Sequence, residues 1–403
     1  MSLDISQIVE QLNAVLGELR ERDAARIIAE RRAVEIVAAD PVEAIEDKIA
    51  RSGRALALRT PAFGGRLGDR HRVACIPDDF AVIAADGSAI NVDRHSPLGC
   101  YVINVGWAVI RYGSQPDCVL NAESSLEVRR LTYVDPEDHA VRPIDGQLLG
   151  IQLSIAEFER VAELVEGLPP DLPAVAMMDN PLTIWGLASP QLKGFIRATP
   201  ADGGPSLLER YEKALARVER ACQVRQAALV GYVSRPSLVF VSNLVRVFAC
   251  PHSVADCKRY CPSHDPDERD CNGVATTDAE MFFRYLRAGE RSGLFHPRDD
   301  GGERVGPDIW FCYLHTGSEV ARIELPDWVA RDPERLELAL SLVLDQVARG
   351  QGYPAALIEA HECAVISVAD RQMFARLVGN TVAMVGMSEA GSAKAASKRT
   401  RGV

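Results

Sequence analysis

Apolar residues recur at three- and four-residue spacing from residue 4 to 35: Ile5, Ile8, Val9, Leu12, Val15, Leu16 and Leu19. This predicts a helix with a narrow apolar seam, the kind helices use to pair. Asp40-Pro41 breaks it, and a second helix runs to about Ala50. The rhythm then changes to near-continuous apolar runs. Phe80 to Ile90, Tyr101 to Arg111 and the more polar Leu126 to Val134 read as three successive strands, with turns at Gly99 and Gly113 to Pro116. Helical periodicity returns from Gln147 to Gly167, and 174–179 is a further strand. An amphipathic helix over 203–223, a strand over Ala228 to Ser234, a helix over Pro236 to Ala249 and helical character from Asp278 to Ala288 follow. Ile309 to Leu314 and Glu319 to Leu325 flank Thr316-Gly317 as a hairpin, with Arg322 and Glu324 two apart on one strand face as an internal ion pair. Helices are expected over Pro333 to Arg349, Ala355 to Val365 and Asp370 to Val378.

Three strands, a helix and a fourth strand form the order of an RNase H-like α/β core. There the meander supplies three strands of a mixed sheet, and the crossover helix returns the fourth to lie beside the first. The expected organisation is an N-terminal helical extension over 1–50, a main domain over 51–386 and a basic disordered tail over 387–403 holding Lys394, Lys398, Arg399 and Arg401.

Composition narrows the class. Of 403 residues, 47% are hydrophobic and 25% charged, ordinary for a soluble globular chain. No apolar run is long enough to span a membrane and Met1 to Asp4 resembles no signal peptide, so a cytoplasmic location is expected. A net charge of −11 argues against a basic coat for nucleic acid, though not against a local channel. Arg51, Arg54, Arg59, Arg66, Arg70, His71 and Arg72 supply such a patch.

The candidate chemistry lies where two apolar runs end on a carboxylate: Val82-Ile-Ala-Ala-Asp86-Gly-Ser and Ala174-Val-Ala-Met-Met-Asp179-Asn-Pro. A charge at the end of a buried strand must be paired, hydrogen-bonded or bound to metal. Two aspartates on neighbouring strands plus a third carboxylate bind hard divalent cations, the ligand set of two-metal phosphodiester hydrolysis. The third belongs on the helix between the strands. Glu157 and Glu159 both qualify, each about 100° from the centre of the apolar face. Glu159, between Phe158 and Val161-Ala162, is slightly preferred.

The chain resembles the NurA nuclease family. The resemblance rests on Ala85-Asp86-Gly87-Ser88, Met178 to Leu182, Val230 to Arg235, Gly289 to Ser292 with Phe295, Arg322-Ile-Glu-Leu-Pro326, and Gly352-Tyr-Pro354 leading to Glu359-Ala360-His361. It implies a manganese-dependent DNA nuclease (magnesium being the alternative) with an RNase H-like fold. Such an enzyme is homodimeric and works with a HerA-type hexameric ATPase in resecting DNA ends 5′ to 3′ and cutting single strands for recombinational repair. By this resemblance Asp86, Asp179 and Glu159 or Glu157 hold metal, and Tyr353 and His361 complete the site. Apart from the resemblance, Arg235, read as opening the helix after the fifth strand, is expected to contact phosphate, and Arg59 and Arg66 of the basic patch are further expected DNA contacts. Asn180 stands where the family often has Gly, and Arg235 where a Lys is expected. The competing readings are a non-catalytic scaffold for DNA ends or the ATPase, and another RNase H-like phosphotransferase. Retention of Asp86, Asp179 and His361 speaks against the scaffold.

The insertion 250–277 lies outside that pattern. Ten cysteines in a cytosolic chain are not expected to be disulfides. Cys75, Cys100, Cys118, Cys222, Cys312 and Cys363 are scattered, whereas Cys250, Cys257, Cys261 and Cys271 cluster with His252 and His264. Spacings of 6, 3 and 9 intervening residues match no standard zinc ribbon, and Cys261-Pro262 would also suit an iron–sulfur cluster. Zinc, iron–sulfur and a metal-free thiol loop all remain open.

Overall fold

The structure, a computed structural model, describes residues 4–73, 76–91, 100–128, 132–134, 141–143, 146–182, 194, 196–197, 203–261, 269–298 and 308–386. The 387–403 tail, Cys75, Gly99 and His264 lie outside them. In chain order the elements used below begin with α1 (Ile5–Ala39) and α2 (Val42–Ser52). The strands β1 (Phe80–Ile90), β2 (Tyr101–Tyr112) and β3 (Asp117–Glu127) follow. Next come α3 (Gln147–Glu166), β4 (Ala174–Met178), α4 (Leu207–Val224) and β5 (Ala227–Val233). Then come α5 (Val241–Ala249), α6 (Asp278–Tyr285) and the hairpin of β6 (Ile309–His315) and β7 (Val320–Pro326). The chain closes with α7 (Pro333–Arg349), α8 (Ala355–Ala364) and α9 (Val368–Met384).

The chain divides into two compact units. One comprises Met1–Val73, Val233–Asp300 and Trp310–Glu324; the other comprises Ala74–Tyr232, Gly301–Ile309 and Leu325–Val403.

The second unit carries the RNase H-like α/β core. β1, β2 and β3 form an antiparallel meander, β4 lies parallel to β1, and β5 lies parallel to β4, giving the order β5-β4-β1-β2-β3. Side chains alternate along a strand. Ala81, Ile83 and Ala85 of β1 and Ala174, Ala176 and Met178 of β4 join one core with Ile155, Phe158 and Ala162 of α3 and Tyr211 and Val218 of α4. By that alternation Asp86 points to the opposite face, as does Asp179, one residue past β4. The sequence placed the third strand too late. Asp117–Glu127 is exposed along nearly its whole length and has no apolar face to betray it, while Thr132–Val134 pairs instead with Val141–Pro143.

In the first unit a core of Ala33, Val37, Ile45, Val241, Phe282 and Phe311 gathers α1, α2, α5, α6 and β6. Asp278, fully buried, accepts from Phe240 N, Val241 N, Ser242 N and the Tyr313 hydroxyl, so it caps α5 from a distant element. The expected Arg322–Glu324 pair is present and buried, with the guanidinium 3.6 Å from the centre of the Phe311 ring. Along α1, Ala29, Ala33 and Val37 are buried, whereas Ile5, Val9, Leu12, Val15, Leu16 and Leu19 are exposed.

Candidate active site

Asp86, Glu157, Asp179, Tyr353 and His361 meet in the second unit. Ala85 pairs with Met178, which sets Asp86 level with Asp179 across the parallel ladder. Glu157 arrives from α3, on the far side of the sheet. It can do so because residue 87 has no side chain. A Cβ there would stand 2.6 Å from Glu157 Oε1 and 2.6 Å from Leu153 Cδ1.

Glu157 is 1% exposed, and its Oε2 has no hydrogen-bond partner among the described residues. Burial first, then Asp86, then Asp179 hold its pKa well above the ordinary carboxylate value. Asp179 is also pushed up, chiefly by burial. The Tyr353 hydroxyl that donates to its Oδ1 opposes this, Asp86 adds to it, and His361 opposes it. Glu159 takes no part. It is exposed, on the side of α3 where Arg217 lies, which corrects the preference drawn from sequence. Turning two residues along the helix moves the side chain about 200°, so one glutamate faces the strand ends and the other the solvent.

Two late side chains close the site. His361 Nδ1 lies 2.7 Å from Asp86 Oδ2, leaving Nε2 for another partner. α8 brings it there because Gly106, opposite Asp86 on β2, allows close approach; a Cβ would stand 2.6 Å from Ala360 O and nearer still to Ala364 N. The end of α8 is clamped, with Asn104 Nδ2 and Ser88 Oγ both donating to Ala364 O, and Ser124 Oγ holding Asn104 at 2.7 Å. At its start, buried Gln346 accepts from Ala356 N and donates to the Tyr112 hydroxyl. Tyr353 follows a turn with Gly352 at φ +123° and packs edge-on to Tyr232 at 5.2 Å. Sequence reasoning gave no role to Gly106, Asn104, Ser88 or Gln346, because each acts through a partner more than two hundred residues away, Gln346 also through nearby Ala356.

The predicted cations do not join this group within the second unit. Arg59, Arg66 and Arg235 all belong to the first. Arg66 Nε is bound to Asp40 Oδ2 at 2.6 Å and Arg59 lies exposed in a loop, its carbonyl accepting from Asn243. Arg235 does not open a helix. It has φ +40°, precedes α5 by several residues and lies 3.5 Å from Glu319.

Among the described residues, no three His, Cys, Asp or Glu side chains form a finished metal cage. The donor set nevertheless fits a hard divalent cation. Three carboxylates crowd together, one has a buried orphan oxygen, and their mutual repulsion calls for a positive charge.

The NurA domain model matches residues 80–366, well over half the chain. The chain belongs to the NurA family. That match spans all five site residues, and membership in a nuclease family makes nuclease activity the expected chemistry. Comparison with curated proteins gave no match. Among solved structures the chain is similar to the catalytic domain of human endonuclease V, at 13% identity over 74% of this chain and 84% of that one, with a TM-score of 0.31. It is also similar to LC9-RNase H1, a type 1 RNase H with the type 2 active-site motif, at 11% identity over 43% and 72%, with a TM-score of 0.22. Neither likeness carries weight at such scores; the fold assignment rests on strand order. No described helix is long and apolar enough to cross a membrane.

Proposed function

We propose that this NurA-family chain is a divalent-metal-dependent deoxyribonuclease, and that Asp86, Glu157 and Asp179 are its metal-holding residues. One observation carries this: a fully buried glutamate, with one oxygen unpartnered among the described residues, faces two strand-end aspartates. A bound manganese or magnesium ion supplies charge for the scissile phosphate and lowers the pKa of water. Tyr353 orients Asp179 by donating to it, and a phosphate oxygen is a second partner within its chemistry. His361, oriented through Nδ1 by Asp86, offers Nε2 to exchange a proton with the attacking water or the leaving oxygen.

From the family resemblance we further propose 5′-to-3′ resection of DNA ends, cleavage of single strands, a HerA-type hexameric ATPase as partner, and a homodimer. The exposed apolar seam of α1 supports a pairing surface. The test uses DNA labelled at either end, single- and double-stranded, with manganese or magnesium and with or without a HerA-type translocase. The native chain should degrade from the 5′ end and cut single strands, and Asp86→Ala and Glu157→Gln should abolish both. Equal cleavage by Asp86→Ala, or none by the native chain with its partner present, would overturn the nuclease reading.

A further inference from the structure

The insertion after α5 has few apolar side chains, and a stretch of that composition does not order itself by burial. Its described residues, 250–261 and 269–277, are nevertheless tied down. Lys48 of α2 donates to Cys250 O, and Ala255 N donates to Ser52 Oγ at 2.8 Å. Asp256 caps the single helical turn Cys257–Tyr260, whose last bond runs from Cys261 N to Cys257 O at 3.1 Å. His252 stacks flat on Tyr260 with ring centres 3.8 Å apart, and its Nε2 lies 3.1 Å from Asp270 Oδ2. That pair ties the segment after Cys250 to the turn carrying Cys257 and to the 3-10 turn Asp270–Val274 carrying Cys271. The result is a cavity in the first unit lined by all four thiols of the insertion, Cys250, Cys257, Cys261 and Cys271.

We propose that these four cysteines form a thiolate-only site for a thiophilic metal centre, either one tetrahedral zinc ion or a [4Fe–4S] cluster. Four cysteine thiolates complete the ligand set of either one. His252 is not a fifth candidate, because its Nε2 is engaged with Asp270 and its face with Tyr260. The thiols surround the cavity without yet meeting at one point, so binding draws the loop segments together. Four thiol protons are released and the binding free energy becomes ordering energy for the loop. Nothing in this site depends on the nuclease chemistry.

The test uses the full chain, prepared without oxygen, chelator or a metal-affinity resin. Elemental analysis should give about one zinc per chain, or about four irons with matching acid-labile sulfide and a visible charge-transfer band. Cys257→Ser/Cys261→Ser should lose that metal, while Cys118→Ser, an exposed thiol outside the insertion, should keep it. If the double variant is insoluble, the native chain serves instead: a chelator or oxidant that strips the metal should open residues 250–277 to limited proteolysis. After denaturation in chelator without reductant, all ten thiols should titrate. Trace metal alone, metal retained by the double variant, unchanged proteolysis on stripping, or fewer than ten thiols through disulfides would each overturn the proposal.

Discussion

Glu157→Gln in the metal-free protein separates a carboxylate held ready for a cation from one that merely packs. Glu157 is buried, partly unpartnered and faces two aspartates, so its native pKa lies well above its ordinary 4.5. Native protein therefore keeps a proton that the unfolded chain has lost. The stability this gives is full below pH 4.5 and is lost as pH rises toward the native pKa. One differential proton is worth about 1.4 kcal/mol per pH unit across that window. Glutamine keeps the shape but has no proton to lose, so the variant's stability should fall less steeply, by up to ~1.4 kcal/mol per pH unit. Denaturant unfolding in EDTA, stepped upward from pH 4, measures both slopes. Manganese supplies the second comparison. At a hundredfold excess over Kd a ligand adds about 2.7 kcal/mol, which the native chain should show and the variant should largely lack. Parallel pH curves together with equal stabilisation by manganese would refute the assignment.

Gly106→Ala should destabilise by ~1–3 kcal/mol in denaturant unfolding, because the added carbon meets the backbone of α8 rather than a movable side chain; it should also lower activity by displacing His361. Tyr353→Phe removes the hydrogen bond that, with His361, opposes the upward shift of Asp179, so the acid limb of the pH–rate profile should move to higher pH; superimposed limbs would contradict this. Glu159→Gln should change stability by less than ~0.5 kcal/mol and leave cleavage intact, as for an exposed helix residue. Leu12→Glu/Leu16→Glu should convert a dimer to a monomer in analytical ultracentrifugation if the α1 seam pairs two copies; an unchanged mass would remove α1 from the interface.

Among the strands and turns, buried segments were legible in the sequence, and exposed or strained ones were not. β1 and β4, flanked by other strands and covered by helices, read as unbroken apolar runs, the pattern of strands with no solvent face. Their terminal aspartates stood out for the same reason. β3 has solvent along nearly its whole length, so neither alternation nor composition marks it. The helix after β5 was expected from Pro236, but Arg235 takes a left-handed backbone and the chain first coils to Val241, where Asp278 supplies a cap that local sequence cannot show.

The third carboxylate shows where helical periodicity runs out. Periodicity sorts helix positions by their angle to the apolar face, and Glu157 and Glu159 are equally distant from it. The deciding information lies on another element. A helix lying across a sheet presents its flank to the ends of the strands, and a charged side chain can enter there only where a strand position is empty. Gly87 is that position, directly after Asp86 and against Glu157 Oε1. Filling it should therefore act like the loss of Glu157 without touching a carboxylate. Gly87→Val should weaken stabilisation by manganese and cleavage together, while leaving the Asp86–His361 contact on the opposite face. Manganese binding equal to the native chain's in that variant would show that Glu157 reaches the aspartates by some route other than over residue 87.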